Sequence, residues 1–197
     1  MRKCDHYLCS NFASFFMAFC LLLLISAGAG AVINCPTVGA NPPCTCEGTS
    51  GADEIIGTSG DDVICAGDGQ DRVFAGNGND IVFGGNGIDR LFGQDGNDTL
   101  HGGNDCDELD GGNGNNTLYA GWGFDWLIGG EGNDTLLGGR CNDRFMLGGN
   151  GTDTCDGGLG TETIGADCDI TNPGEKQTSD TASKCGTSDA TCGTILD

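Results

Sequence analysis

An acidic side chain recurs at a nine-residue spacing through the middle of this 197-residue chain. The column runs Asp53, Asp62, Asp71, Asp80, Asp89, Asp98, Asp107, Asn116, Asp125, Asp134, Asp143, Asp153 and Glu162, with one ten-residue step between Asp143 and Asp153. Each member closes a stretch rich in glycine. Carboxylates repeated in that setting are ligands for a hard cation: they bring negative charge, and glycine turns let backbone carbonyls converge beside them. The rival reading is turn capping, in which Asp hydrogen-bonds nearby backbone. Capping tolerates Asn and Ser freely, yet Asp is replaced at only Asn116 and Glu162. The near-uniform acid points to repeated metal binding.

The elements that carry the column are nonapeptides close to Gly-Gly-x-Gly-x-Asp-x-apolar-x, thirteen in tandem from residue 48 to 165. Residues 75–83 (Ala-Gly-Asn-Gly-Asn-Asp-Ile-Val-Phe) show the register. A fixed short period dictates a stacked architecture. Positions one to six are expected to form a turn, and positions seven to nine a short strand whose alternation sends position eight inward. With Leu147 taken as the inserted residue, the inward column reads Ile55, Ile64, Val73, Val82, Leu91, Leu100, Leu109, Leu118, Leu127, Leu136, Phe145, Cys155 and Ile164. Two units make one coil, so each turn stacks on the turn two units along. At about 4.8 Å per coil the rod is on the order of 31 Å long. One apolar side chain per unit is a thin core, and glycine raises the entropy cost of ordering the backbone. Metal coordination has to make up the deficit, so folding and cation binding are expected to be one event.

These repeats resemble the hemolysin-type, or RTX, calcium-binding nonapeptide across residues 48–165. The resemblance implies an all-β parallel β-roll, a right-handed solenoid with two nonapeptides per coil and Ca²⁺ in its turns. It also implies a ligand set. One turn gives the carbonyls of positions two and four and its Asp; the turn one coil along gives the carbonyls of positions one and three and its own Asp. One site is then Gly76, Gly78 and Asp80 with Gly93, Asp95 and Asp98. Positions two and four elsewhere include Gly67, Gly69, Gly85 and Gly87. Positions one and three include Gly84, Asn86, Gly102, Asn104, Gly111, Asn113, Gly129 and Glu131. Six oxygens from flexible turns suit Ca²⁺ better than Mg²⁺, and about ten ions per chain are expected. Asn116 keeps an oxygen but loses a charge, so its sites are expected to be weaker. Asp105 and Cys141 replace the position-four glycine and bring strain if φ is positive there. The first two units lack the second glycine and read as a cap, and Glu162 marks an irregular last turn.

The flanks place the chain. Residues 1–31 read as a secretory signal, with Arg2 and Lys3 ahead of an apolar run and small residues at 27–31. The run from Phe12 to Ile25 is short for a bilayer span, which needs about 20 residues. Cleavage of this leader leaves no segment expected to enter a membrane, and the general secretory route leads to an extracellular location. Residues 32–47 form a Cys/Pro-rich lead-in and 166–197 a polar tail with cysteines. Of 13 cysteines, Cys35, Cys44, Cys46, Cys65, Cys106, Cys141, Cys155, Cys168, Cys185 and Cys192 lie beyond the leader. An even set in an exported chain implies disulfides, since their spacings fit no usual zinc finger. Cys155 with Cys168 would staple the last coil. Cys106 and Cys141 sit two coils apart, about 10 Å, and are expected to pair elsewhere or stay free.

A formal net charge of −21 excludes nucleic acid as a partner. Enzymatic activity is not expected: there is no His-Glu-x-x-His or Gly-x-Ser-x-Gly, and His101 is the one histidine beyond the leader. The expected role is a calcium-folded extracellular structural or adhesive module. The alternative is contact with an extracellular protein or a glycan, or self-association, through Trp122, Phe124 and Trp126. These crowd one unit, and at least two are expected to be exposed. Position-nine side chains are expected to stack rung on rung. Thr99, Thr117 and Thr135 form a column too short and too close to bulky aromatics for an ice-binding face. The N-x-Thr sequons at Asn97, Asn115, Asn133 and Asn150 read first as turn residues.

Overall fold

The computed structural model describes residues 31–35, 44–141, 143, 145–159 and 168–170. Residues 1–30 of the leader, Glu162, Ile164, Cys185 and Cys192 lie outside them. Strands in chain order are β1 (Val32–Asn34), β2 (Cys46–Glu47), β3 (Glu54–Ile56), β4 (Val63–Asp68), β5 (Arg72–Asn77), β6 (Ile81–Asn86), β7 (Arg90–Asp95), β8 (Thr99–Asn104), β9 (Glu108–Asn113), β10 (Thr117–Trp122), β11 (Trp126–Glu131), β12 (Thr135–Arg140), β13 (Phe145–Asn150), β14 (Asp153–Asp156) and β15 (Cys168–Ile170). They alternate between two sheets, β1-β3-β5-β7-β9-β11-β13 and β15-β14-β12-β10-β8-β6-β4-β2. Every pairing is parallel, and equivalent residues of stacked units face each other, as in Thr117↔Thr135, Leu118↔Leu136 and Tyr119↔Leu137. The chain is a parallel β-solenoid. β1, β2 and β15 lie outside residues 48–165 and add strands to its two ends.

The strands are longer than the sequence suggested. A typical one runs six residues, from position seven into position three of the next unit, and alternates outward and inward twice. Position one is therefore a second inward position. Ala66, Ala75 and Ala120 fill it and are fully buried, beside the position-eight column. That column holds from Ile55 to Leu136, then departs from expectation. Trp126 pairs with Phe145, Leu127 with Met146 and Ile128 with Leu147, and Met146 is fully buried. Met146, not Phe145, continues the core. Since Asp143 keeps the acid position and Phe145 takes position seven, the extra residue falls between them and is not Leu147.

Disulfides close the amino-terminal end. Cys46 sits opposite Ile64 and is buried with Cys35, to which it is bonded, so this bridge caps the core. Cys44 is bonded to Cys65. Cys106, Cys141 and Cys155 are disulfide-bonded as well, which removes the free thiol as an alternative for Cys106 and Cys141. Outward side chains stack as position-nine ladders. Phe74 lies on Phe92 at 5.1 Å, and His101 lies between Phe83 and Tyr119 at 4.8 and 4.6 Å. Among the described residues no helix is long and apolar enough to cross a membrane.

Candidate metal sites

Each strand delivers its acid to the same place at the turn, and the turns lock together through those acids. The backbone N–H of Asp53 donates to Asp71 Oδ1 one coil along at 2.8 Å. The same bond runs from Asp62 to Asp80, Asp71 to Asp89, and Asp80 to Asp98, each at 2.8 Å. It continues through Asp89 to Asp107, Asp107 to Asp125, Asp125 to Asp143, and Asp134 to Asp153. Every described acid of the column is at most 4% exposed. One carboxylate oxygen is thus a structural link between coils.

The other oxygen is what the links leave over. Oδ2 of Asp71, Asp80, Asp89, Asp98, Asp107, Asp134 and Asp153 is buried and receives no hydrogen bond. A buried carboxylate oxygen without a donor carries its full desolvation penalty. Burial accordingly pushes Asp71, Asp80 and Asp134 up from 3.8 to about 6. Asp89 rises to about 7 and Asp107 to about 10, for the same leading reason. Asp125 is raised well above 3.8, by burial and then by the charge of Asp143. Carboxylates so placed require a proton or a cation.

Backbone oxygens border the same space. A Cβ built on Gly84 would lie 2.6 Å from Asp89 Oδ2 and 2.6 Å from the Gly102 carbonyl one coil along. Those two oxygens are therefore no more than 5.2 Å apart, within reach of one cation that takes oxygens at about 2.3–2.6 Å. The Gly93 and Gly102 positions repeat this, with Asp98 Oδ2 beside the Gly111 carbonyl and Asp107 Oδ2 beside the Ala120 carbonyl. Gly129 brings Asp134 Oδ2 and the Gly148 carbonyl together in the same way. These residues fit Ca²⁺.

The sequence-derived ligand positions stack as expected: Gly76 faces Gln94 and Asn77 faces Asp95 across β5 and β7. Positions two and four take positive φ, as at Gly67, Gly69, Gly76, Gly78, Gly85 and Gly87. Gln94, Asp105 and Cys141 take it without being glycine, at 77°, 79° and 84°, so the expected strain at Asp105 and Cys141 is present. Position-three side chains point to solvent and bond along the edge, Asn86 to Asp68, Asn104 to Asn86, and Asn113 to Asp95, each at 2.6 Å. Among the described residues no three His, Cys, Asp or Glu side chains gather as a metal cluster. That is the expected outcome when each turn gives one carboxylate and the backbone gives the rest.

Two features of the column escaped the sequence. In the first two units Oδ2 is not bare: Thr49 donates to Asp53 Oδ2 from both N–H and Oγ1, and Thr58 does the same to Asp62. At Asn116 the oxygen accepts from the Asp98 N–H at 2.9 Å, which turns Nδ2 into the place an Asp gives to Oδ2. The aromatic unit also differs from expectation. Trp122, Phe124 and Trp126 are each half-buried, and the Arg140 guanidinium covers the Trp122 ring at 4.4 Å. Among the described residues the exposed large apolar side chains are instead Val32, Ile56, Ile81, Phe83 and Tyr119.

A family model of the RTX calcium-binding nonapeptide repeat matches the chain in four copies, over residues 47–82, 83–118, 119–149 and 145–164. No curated protein matches it.

Proposed function

The chain belongs to the RTX calcium-binding nonapeptide repeat family, and from that premise we propose that it is an exported β-roll that folds on calcium and serves as an extracellular structural or adhesive module. One observation carries the reading: a file of buried carboxylates along each edge, each with one oxygen linking coils and the other beside a carbonyl of the next coil. Gly76, Gly78, Asp80, Gly93, Asp95 and Asp98 would hold one ion, and the equivalent positions of other turns the rest. The bound ion supplies positive charge and oxygen coordination where the chain alone leaves like charges stacked. With an ion held there, the Asp carboxylates would stay ionised and the stacked turns would keep the two sheets in register. The disulfides and the leader support export. Retention of the protein on cells or matrix in calcium-containing medium, and its release by chelator with the leader absent from the retained chain, tests this role. Retention unaffected by chelator contradicts it.

A second reading is favoured by the ladder of exposed Phe83 and Tyr119 with half-buried His101 between them, whose parallel rings offer a flat aromatic face for a glycan or protein partner. It displaces Trp122, Phe124 and Trp126, which are half-buried. Phe83→Ala with Tyr119→Ala abolishes partner retention under this reading while calcium-dependent folding survives; normal retention rejects it.

A further inference from the structure

We propose that three turns of the roll bind no calcium, because the chain's own donors stand where the ion would: Thr49 at Asp53, Thr58 at Asp62, and the amide of Asn116 in its own turn. The proposal rests on the calcium reading above and departs from a uniform repeat.

The two threonine turns are saturated. Asp53 Oδ2 accepts the Thr49 N–H at 2.6 Å and its hydroxyl at 2.8 Å. Asp62 Oδ2 accepts the same pair from Thr58 at 2.7 and 2.8 Å. Asp53 Oδ1 also accepts the Ala31 N–H at 3.0 Å, and the backbone N–H groups of Asp53 and Asp62 keep their links to Asp71 and Asp80 one coil along. The Oδ2 that is bare at Asp71, Asp80, Asp89 and Asp98 is thus fully used here. Position two supplies these donors because it is Thr rather than a glycine at positive φ, the conformation taken by Gly67, Gly76 and Gly85. A turn completed by hydrogen bonds needs no ion. Cys35–Cys46 and Cys44–Cys65 bind the same coils together, so the amino-terminal end holds its shape before calcium arrives and gives the next turns a surface to stack on.

The Asn116 turn reaches the same end by a different group. Its orientation is fixed: the Asp98 N–H requires an acceptor, so Oδ1 must face it and Nδ2 must face away. Nδ2 then donates to the Gly129 carbonyl at 3.4 Å and the Gly114 carbonyl at 3.5 Å. These bonds are long, but they identify the place. Gly114 is position four of this turn and Gly129 position one of the next, two of the carbonyls assigned to an ion. An amide nitrogen there offers protons to oxygens that elsewhere await a cation, and cannot itself ligate one. Asp153 has no acid of the column one coil along; the turns of Asp71, Asp80, Asp89, Asp98, Asp107, Asp125, Asp134 and Asp143 remain, so about eight Ca²⁺ bind rather than about ten.

Native mass spectrometry of the oxidised chain in saturating calcium tests the count. The wild type should carry about eight ions, Asn116→Asp one more, and Thr49→Gly with Thr58→Gly up to two more. Ten or more ions on a folded wild type overturns the proposal while leaving the calcium reading intact; a wild type folded without calcium defeats both. Hydrogen exchange of the wild type in chelator needs no variant to fold. The Thr49 and Thr58 amides should stay protected while the turns from Asp71 onward exchange freely, and uniform exchange overturns the proposal.

Discussion

Asp89→Asn separates a metal ligand from a turn cap, because the two roles predict opposite signs in the absence of calcium. Asp89 is fully buried, with Oδ1 accepting the Asp71 N–H at 2.8 Å and Oδ2 without a donor. An amide keeps the first bond and places Nδ2 beside the Gly102 carbonyl, as Asn116 does beside Gly129. Without metal, the substitution removes a carboxylate that burial raises from 3.8 to about 7. That rise corresponds to at most about 4 kcal/mol at neutral pH, and water reaching the turn reduces it to roughly 2 kcal/mol of gain. With calcium at about one hundred times its dissociation constant, the lost ion costs about 2.7 kcal/mol. Urea unfolding followed by circular dichroism, across free calcium concentrations at which both chains fold, should show the variant more stable than wild type at the lowest of them and less stable at saturation, with the curves crossing between. Equal destabilisation at every calcium concentration would refute the reasoning and leave Asp89 as a turn residue.

Two further outcomes follow from the same geometry. In chelator the folded chain holds protons that the unfolded chain has released, since Asp71, Asp80 and Asp134 are raised from 3.8 to about 6 and Asp89 to about 7; stability gained from protonation is fully present below about 4 and lost as pH rises through about 7. Strand content without calcium should therefore increase as pH falls across that window, and the calcium concentration needed for folding should fall with the pH; a flat profile contradicts both. Gly85→Ala puts a Cβ against the Gly67 carbonyl at φ +117°, where no flexible side chain can yield, and should cost about 3 kcal/mol or more of calcium-bound stability. Loss below about 1 kcal/mol in the same urea series would show that the turn can open.

The nine-residue period and the acid column were legible because Asp recurs where capping alone would scatter Asn and Ser. The parallel stacking and most of the inward column followed from that period. Its failure at the insertion has a local cause: Phe145, Met146 and Leu147 are all apolar, so sliding the pattern by one residue leaves no polar side chain in the core to betray the error. The second inward position was hidden because glycine and alanine carry almost no hydrophobic signal at Ala66, Ala75 and Gly84. Thr49 and Thr58 were visible only as missing glycines; that they serve as donors depends on a backbone conformation that residue type does not reveal. Asn116 read as a weaker ligand because the direction of its amide is decided by the Asp98 N–H, one coil away. Trp122 looked exposed within its own turn, but Arg140, its partner across β10 and β12, covers it.

The most direct test of the account is circular dichroism of the oxidised mature chain at neutral pH, in chelator and then in millimolar calcium. The account predicts that most strand signal is missing in chelator, apart from the disulfide-locked amino-terminal coils, and appears cooperatively as calcium is added. The same strand content in both conditions would contradict it.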